Sequence, residues 1–244
     1  MIDHVYIINL ADSRDRWRDM QFRVEGPGAA QMQAIFADNW LTTTGKELLG
    51  PDYYPPPPHA GDIAMQAFAS SPDGGSVNMQ LLYLMAINGA RRSIDLESAY
   101  FVPDEMTLTA LLDALRRGVR VRLVVPGPYV DSRVVRNASQ QSWGTLLRAG
   151  VLMYRYQPAL FHNKLMVVDR YLTIGGSANF DNRSFQLNDE SNINVHDRAF
   201  AEHMTEVIES DIGRSHQLTL REWEQRPWRQ RAFDWLSAQL GDQL

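Results

Sequence analysis

Phe161-His-Asn-Lys-Leu-Met-Val-Val-Asp-Arg-Tyr-Leu-Thr-Ile-Gly-Gly-Ser-Ala-Asn179 is the stretch on which the fold turns. Leu165 to Val168 is an apolar, branched run of the kind that forms a buried strand, and Tyr171 to Ile174 is a second. Asp169-Arg170 between them suits a tight turn. Alternation along a strand puts His162 and Lys164 on one face, and Ser177 and Asn179 on one face. A two-residue hairpin centred on Asp169-Arg170 would set His162 opposite Ser177. Four polar side chains thus gather at the open end of an apolar hairpin. The choice of lysine there is unusual for this chain. Of 24 lysines and arginines only Lys46 and Lys164 are lysine, so position 164 reads as a demand for a compact ammonium rather than a planar fork.

Working outward, His162-x-Lys164-x4-Asp169 followed by Gly176-Ser177-x-Asn179 resembles the HKD signature of the phospholipase D superfamily. Asn179 to Phe185 and Leu187-Asn188-Asp189-Glu190 are similar to its bacterial cardiolipin synthase branch. So are Ala99 to Glu105 and Arg116 to Val121. Trp17-Arg18-Asp19 and Arg23 to Pro27 resemble the end of the first catalytic half in that branch. No first His-x-Lys precedes them, since His4 is followed two places on by Tyr6. The resemblance therefore implies one complete catalytic half plus a remnant of the first. The expected divisions are a remnant over 1–42, a Pro-rich linker over 43–64, a catalytic domain over 65–216 and an amphipathic tail over 217–244.

In a chain of 244 residues, a net charge of −5 argues against bulk nucleic-acid binding, which needs a basic footprint, and leaves a local basic cleft open. The absence of cysteine excludes disulfides and thiolate chemistry. No apolar run approaches the roughly 20 residues of a membrane span, and the N-terminus lacks a signal-peptide layout. Cardiolipin synthases carry N-terminal membrane helices, so the chain departs from the family there. The expected location is peripheral, at the cytoplasmic face of a bacterial inner membrane.

His4 to Leu10 and Met20 to Val24 read as strands, and Gly28 to Trp40 as a helix. Thr42 to Asp62, with four prolines at positions 55–58, reads as linker. Strands at 64–69, 93–100, 119–125 and 151–156 alternate with helices at 78–90, 108–117 and 140–149. A last helix covers 199–215. Such alternation predicts an α/β fold: a mixed β-sheet flanked by helices on both faces. Among Trp223, Trp228 and the residues beyond, Phe233, Leu236 and Leu240 follow helical spacing. That stripe fits packing on the parent domain or contact with an anionic membrane surface.

A phosphodiester can be opened without metal or cofactor when an imidazole attacks phosphorus and cations and amides hold the equatorial oxygens. His162 is the candidate nucleophile. Lys164, Asn179, Ser177 and Gly176 are the candidate phosphate-binding groups. An acid should hold the far ring nitrogen, and the resemblance assigns that to Glu190. Asp169, at the turn, is expected to make a structural ion pair. A metal site of His162, Asp169 and Glu190 is disfavoured because Lys164 would repel a cation. His196, His203 and His216 lack a lysine two residues on and read as ordinary surface groups. By resemblance the mechanism uses two histidines, so the second would come from a homodimer mate or from a missing first half. The implied activity is phosphatidyl transfer between anionic phospholipids such as phosphatidylglycerol, through a phosphohistidine. The alternatives are a phospholipase D or nuclease-type hydrolase, and a half-enzyme that binds lipid phosphate without turnover.

Overall fold

The computed structural model describes residues 4–6, 17–72, 77–130 and 133–227. Its centre is the predicted hairpin, β9 (Lys164–Val168) and β10 (Leu172–Gly176). Met166 and Val168 enter one apolar cluster, and Leu165 and Val167 the other. A strand buried on both faces needs an apolar residue at every position, which is why the run lacks polar alternation.

Around the hairpin lies an eight-stranded mixed sheet in the order β12-β7-β6-β5-β9-β10-β11-β4. The parallel part is β5 (Ser93–Ser98), β6 (Arg120–Pro126) and β7 (Leu152–Tyr156), joined through α3 (Glu105–Arg116) and α4 (Arg133–Ala149). The hairpin joins antiparallel to β5, and β11 (Glu190–His196) and β4 (Ala64–Ser70) continue antiparallel to the edge. β12 (Ser215–Leu218) closes the other edge against β7. One face carries α2 (Asn78–Gly89), α3 and α4, through Tyr83, Leu111 and Trp143. The other carries α5 (Arg198–Gly213), through Phe200, Met204 and Ile208, with Met20 and Phe22 beside it. The predicted mixed sheet with helices on both faces is the fold observed.

Several boundaries differ from the sequence reading. The first helix, α1 (Pro27–Thr44), begins with proline at a position where no N–H is needed and runs into the predicted linker. It stops at Gly45, which takes a left-handed φ of 67° and returns its N–H to Leu41 at 2.8 Å. α3 starts three residues earlier than predicted, because Asp104 accepts the Thr107 N–H at 2.8 Å and caps it. α4 reaches seven residues further back, to Arg133. β11, β12 and a π-helical turn at Arg183–Leu187 were not foreseen. The first strand is described only as β1 (His4–Tyr6), paired with β3 (Gln21–Arg23). In the C-terminal tail α6 (Leu220–Glu224) buries Trp223 against Trp143, 5.7 Å between ring centroids. Trp228, Phe233, Leu236 and Leu240 lie outside the described residues. Among the described residues no helix is long and apolar enough to cross a membrane.

The hairpin turn falls at Asp169-Arg170, as the sequence suggests, with φ of 54° and 53° at those two residues. The register is shifted by one residue from a two-residue hairpin, within the slip of a residue or two that the sequence leaves open. Tyr171 donates its N–H to the Val168 carbonyl at 3.0 Å, and its own carbonyl accepts from Asp197. It is thereby withdrawn from the ladder, which starts at Val168↔Leu172 and runs to Leu165↔Gly175. His162 is therefore not opposite Ser177, whose partner across the sheet is Ser191.

Among the described residues no ion pair of the kind expected forms at Asp169. Its carboxylate accepts the backbone N–H groups of Arg91, Arg92 and Ser93 at 2.9, 2.7 and 2.9 Å, fastening the α2–β5 connection to the hairpin. Burial pushes its pKa up, but those donors outweigh it and hold the carboxyl below its ordinary value. The ionised form is thus the stabilising one, and its contribution is lost as pH falls through the depressed folded-state value. Asp169→Ala should cost on the order of 1–3 kcal/mol of unfolding free energy at pH 7, by urea denaturation. The gap between the two chains should narrow below about pH 4, where unfolded Asp takes up its proton. A gap that stays constant into acid would contradict this role.

Candidate active site

The site forms where β9 begins. β8 (Leu160–Phe161) pairs in parallel with β2 (Trp17–Arg18), and the His162 N–H donates to the Arg18 carbonyl at 2.8 Å. That pairing carries the early segment across the mouth of the hairpin. Trp17 packs on the His162 ring at 4.7 Å between centroids, and Asp19 places Oδ2 3.0 Å from its Nδ1. The Asp19 Oδ1 accepts the Met20 N–H at 2.9 Å. Burial raises the Asp19 pKa. The hydrogen bonds from His162 and Met20, with the nearby charges of His162 and Lys164, outweigh it and keep the carboxyl below its usual range. A carboxylate on Nδ1 fixes the ring's orientation and leaves Nε2 as the nucleophilic edge.

Lys164 is 8% exposed. Its Nζ donates to the His162 carbonyl at 2.7 Å and lies 3.0 and 2.9 Å from Nδ1 and Nε2. An ammonium equidistant from both ring nitrogens sits over the ring face, since an in-plane position would collide with ring carbon. A cation is thus stationed directly beside the edge at which a phosphate would arrive.

Glu190 does not hold His162, contrary to the sequence expectation; Asp19 occupies that place. The reason is topological. Glu190 opens β11, on the far side of β10, where it accepts the Ser177 hydroxyl and the Asn188 amide, the latter at 3.1 Å. The acid that does reach the imidazole comes from 143 residues upstream. The sequence signal existed, in Trp17-Arg18-Asp19, but nothing local to the motif links it to His162.

The phosphate-binding candidates fall at the ends of β9 and β10. One step beyond Gly175↔Leu165 in that ladder brings Gly176 alongside Lys164. A Cβ on Gly176 would strike the Asn192 side chain and the Ser191 carbonyl, so only glycine allows β10 and β11 to close here. Ser177 accepts the Ser191 N–H at 3.0 Å on its Oγ while donating to Glu190. Asn179 is 8% exposed and turns its oxygen toward the Tyr100 N–H at 3.3 Å, leaving its NH2 as the group to offer a phosphate oxygen. Asp169 stands apart. Seven residues of extended chain at about 3.3 Å each separate it from His162, so a His162–Asp169–Glu190 metal set cannot converge. Among the described residues no cluster of three or more potential metal ligands occurs.

Beneath the site lies a buried polar network. Arg18 grips Asp211 with Nε at 3.0 Å from both oxygens and its terminal nitrogen at 2.7 Å. The Asn163 amide reaches Glu97 at 2.8 Å and Asp211 at 3.4 Å. The Glu97 pKa is pushed up to about 8, by burial first and then by Asp211, against the opposing pull of Arg18 and Asn163. A neutral Glu97 lets one guanidinium balance one carboxylate.

Comparison with known proteins agrees with this geometry. The family model described as cardiolipin synthase, PLD-like domain, matches residues 83–212, more than half of the chain. Cardiolipin synthase A of Pseudomonas entomophila is 39% identical over 83% of this chain and 42% of its own length. Minor cardiolipin synthase ClsB of Bacillus subtilis is 36% identical over 92% of this chain and 54% of its own. The chain spans about half the length of the curated relatives it matches. Among solved structures, the phospholipase D family member Nuc of Salmonella typhimurium superposes with a TM-score of 0.54. It is 23% identical, over 65% of this chain and 99% of that one, and it shares the fold. With a carboxylate, an imidazole and an ammonium converging at the mouth of the matched sheet, the chain belongs to the cardiolipin synthase, PLD-like domain family.

Proposed function

We propose that this chain supplies one catalytic half of a phosphatidyltransferase of cardiolipin synthase type. The observation that carries the reading is the stack of Asp19, His162 and Lys164, with hydrogen-bond distances of 2.7–3.0 Å throughout. His162 Nε2 attacks the phosphorus of a phosphatidylglycerol-like lipid, and the bond from phosphorus to the glycerol oxygen breaks. The departing alkoxide takes a proton from a second, protonated imidazole. The hydroxyl of a second lipid then attacks the phosphohistidine, gives its proton back to that imidazole and releases His162. Asp19 holds Nδ1–H throughout, and Lys164 with the Asn179 amide bears the charge on the non-bridging oxygens. Ser177 and the close-packed Gly176 shape the same pocket.

The second imidazole comes from a companion half, either a homodimer mate or a first half of the kind the family resemblance implies. Glu190, 7% exposed and anchored by Ser177 and Asn188, is the acid this half offers to that incoming ring. A phospholipid substrate puts the proposed work at a membrane surface, and peripheral approach from the cytoplasmic face is part of this proposal. Two features support transfer over hydrolysis: the relatives are named as synthases, and the half-buried imidazole, 26% exposed, lies under Trp17.

Incubation of the assembled protein with labelled phosphatidylglycerol should yield cardiolipin and glycerol. Phosphatidic acid without cardiolipin would make the chain a hydrolase. Full activity in a species that light scattering shows to be monomeric would end the two-histidine scheme. Asp19→Asn should lower kcat by about 10²–10⁴-fold with little change in KM, because Asp19 touches the nucleophile and not the lipid. An equal loss carried in KM would remove Asp19 from this role.

A further inference from the structure

The proposed transfer needs a lipid held by its phosphate, and the fold offers a place for what lies behind that phosphate. Between α1 and the ends of β10 and β11 runs a groove of about 470 Å³, within the roughly 300–1,000 Å³ of small-molecule sites. Its floor is Gly175 to Ser177, the strand end that carries the candidate phosphate donors. From there the walls turn apolar: Phe22 on one side, and Met32, Ile35 and Phe36 of α1 on the other. Those three recur at the spacing of one helix face. They are not spent on the core, for Met32 is 40% and Phe36 53% exposed. Phe22 could not lie where it does over any residue but glycine, since a Cβ on Gly175 would come within 2.7 Å of its ring tip.

A slot that meets the phosphate donors at one end and is lined beyond them mostly by apolar side chains, with Gln21 and Asn39 among them, matches a ligand with one charged end and one hydrocarbon end. We infer that the groove between α1 and β10–β11 takes an acyl chain of the anionic phospholipid whose phosphate is held beside His162. The inference rests on the proposed function for the headgroup end and adds the site that reads the tail. Met32 suits the task, because a thioether side chain conforms to a flexible alkyl chain. Binding the tail on α1 also ties lipid recognition to the segment that delivers Asp19, because both follow from Trp17 to Thr44.

The test uses phosphatidylglycerols with two acyl chains of four to seven carbons, kept monomeric, and glycerophosphoglycerol as the tail-less control. Affinities are measured calorimetrically on the chain carrying His162→Asn, which blocks turnover. Affinity should rise by up to about fourfold for each methylene that enters the groove. Phe36→Asp and Ile35→Asp should flatten that rise while leaving glycerophosphoglycerol binding unchanged. Circular dichroism would show both variants folded. A flat chain-length series, or a rise that both variants preserve, overturns the groove. So does a rise that Phe36→Asp leaves intact while light scattering shows an oligomer falling apart, which makes this face a contact between copies. Failure of glycerophosphoglycerol to bind, with the chain-length rise intact and sensitive to Phe36→Asp, would leave the groove standing and remove the phosphate reading instead.

Discussion

The site depends on a buried ion pair that is not itself part of the chemistry. Arg18 and Asp211 are 3% and 2% exposed and joined through three nitrogen–oxygen contacts. Asp211 lies near the end of α5 and Arg18 in a two-residue strand with few contacts of its own. With the Trp17–Arg18 ladder and the packing of Met20, Phe22 and Val24 on the α5 face, the pair holds the early segment across the sheet. Breaking such a pair strands a charge in the interior, at a typical cost of 3–5 kcal/mol. Neutral Glu97 and the Asn163 amide complete the arrangement, so the cluster carries no excess charge. Its consequence is positional. Fixing Arg18 fixes Asp19 one residue on, and Asp19 orients the imidazole.

The sheet supplies the rest. Apart from the buried Thr173, β9 and β10 are apolar between their ends, so His162, Lys164, Ser177 and Asn179 are gathered at one rim. Asp169 secures the opposite rim by three backbone hydrogen bonds, and with it the angle at which the hairpin leaves β5. One motif thus performs two unlike jobs. Its histidine and lysine gather with the Asp19 carboxylate at one rim, while its aspartate, a strand length away, keeps the strand in place.

What was legible in the sequence follows the range of the forces involved. The hairpin, its turn and the alternation of strands and helices rest on local pattern and were read correctly. The register slipped by one because Tyr171 answers to Asp197, a contact outside the hairpin. β12 was missed because its residues, Ser215 to Leu218, are half exposed and gain their strand form from β7. The partner of His162 is the largest difference. Triad logic asks for an acid on the ring and the resemblance implies Glu190, whereas the imidazole meets Asp19, 143 residues away. No periodicity carries that information. The pairing of β2 with β8, secured by Arg18 on Asp211, brings the two together.

The central claim is that the imidazole of His162 takes the phosphatidyl group covalently. Rapid acid-free quenching during turnover of labelled phosphatidylglycerol, followed by peptide mapping, tests it directly. The expected result is an acid-labile, base-stable phosphatidyl adduct on the peptide containing His162, absent from the His162→Ala chain. Product formation with no adduct there, or with the label on a different residue, would contradict it.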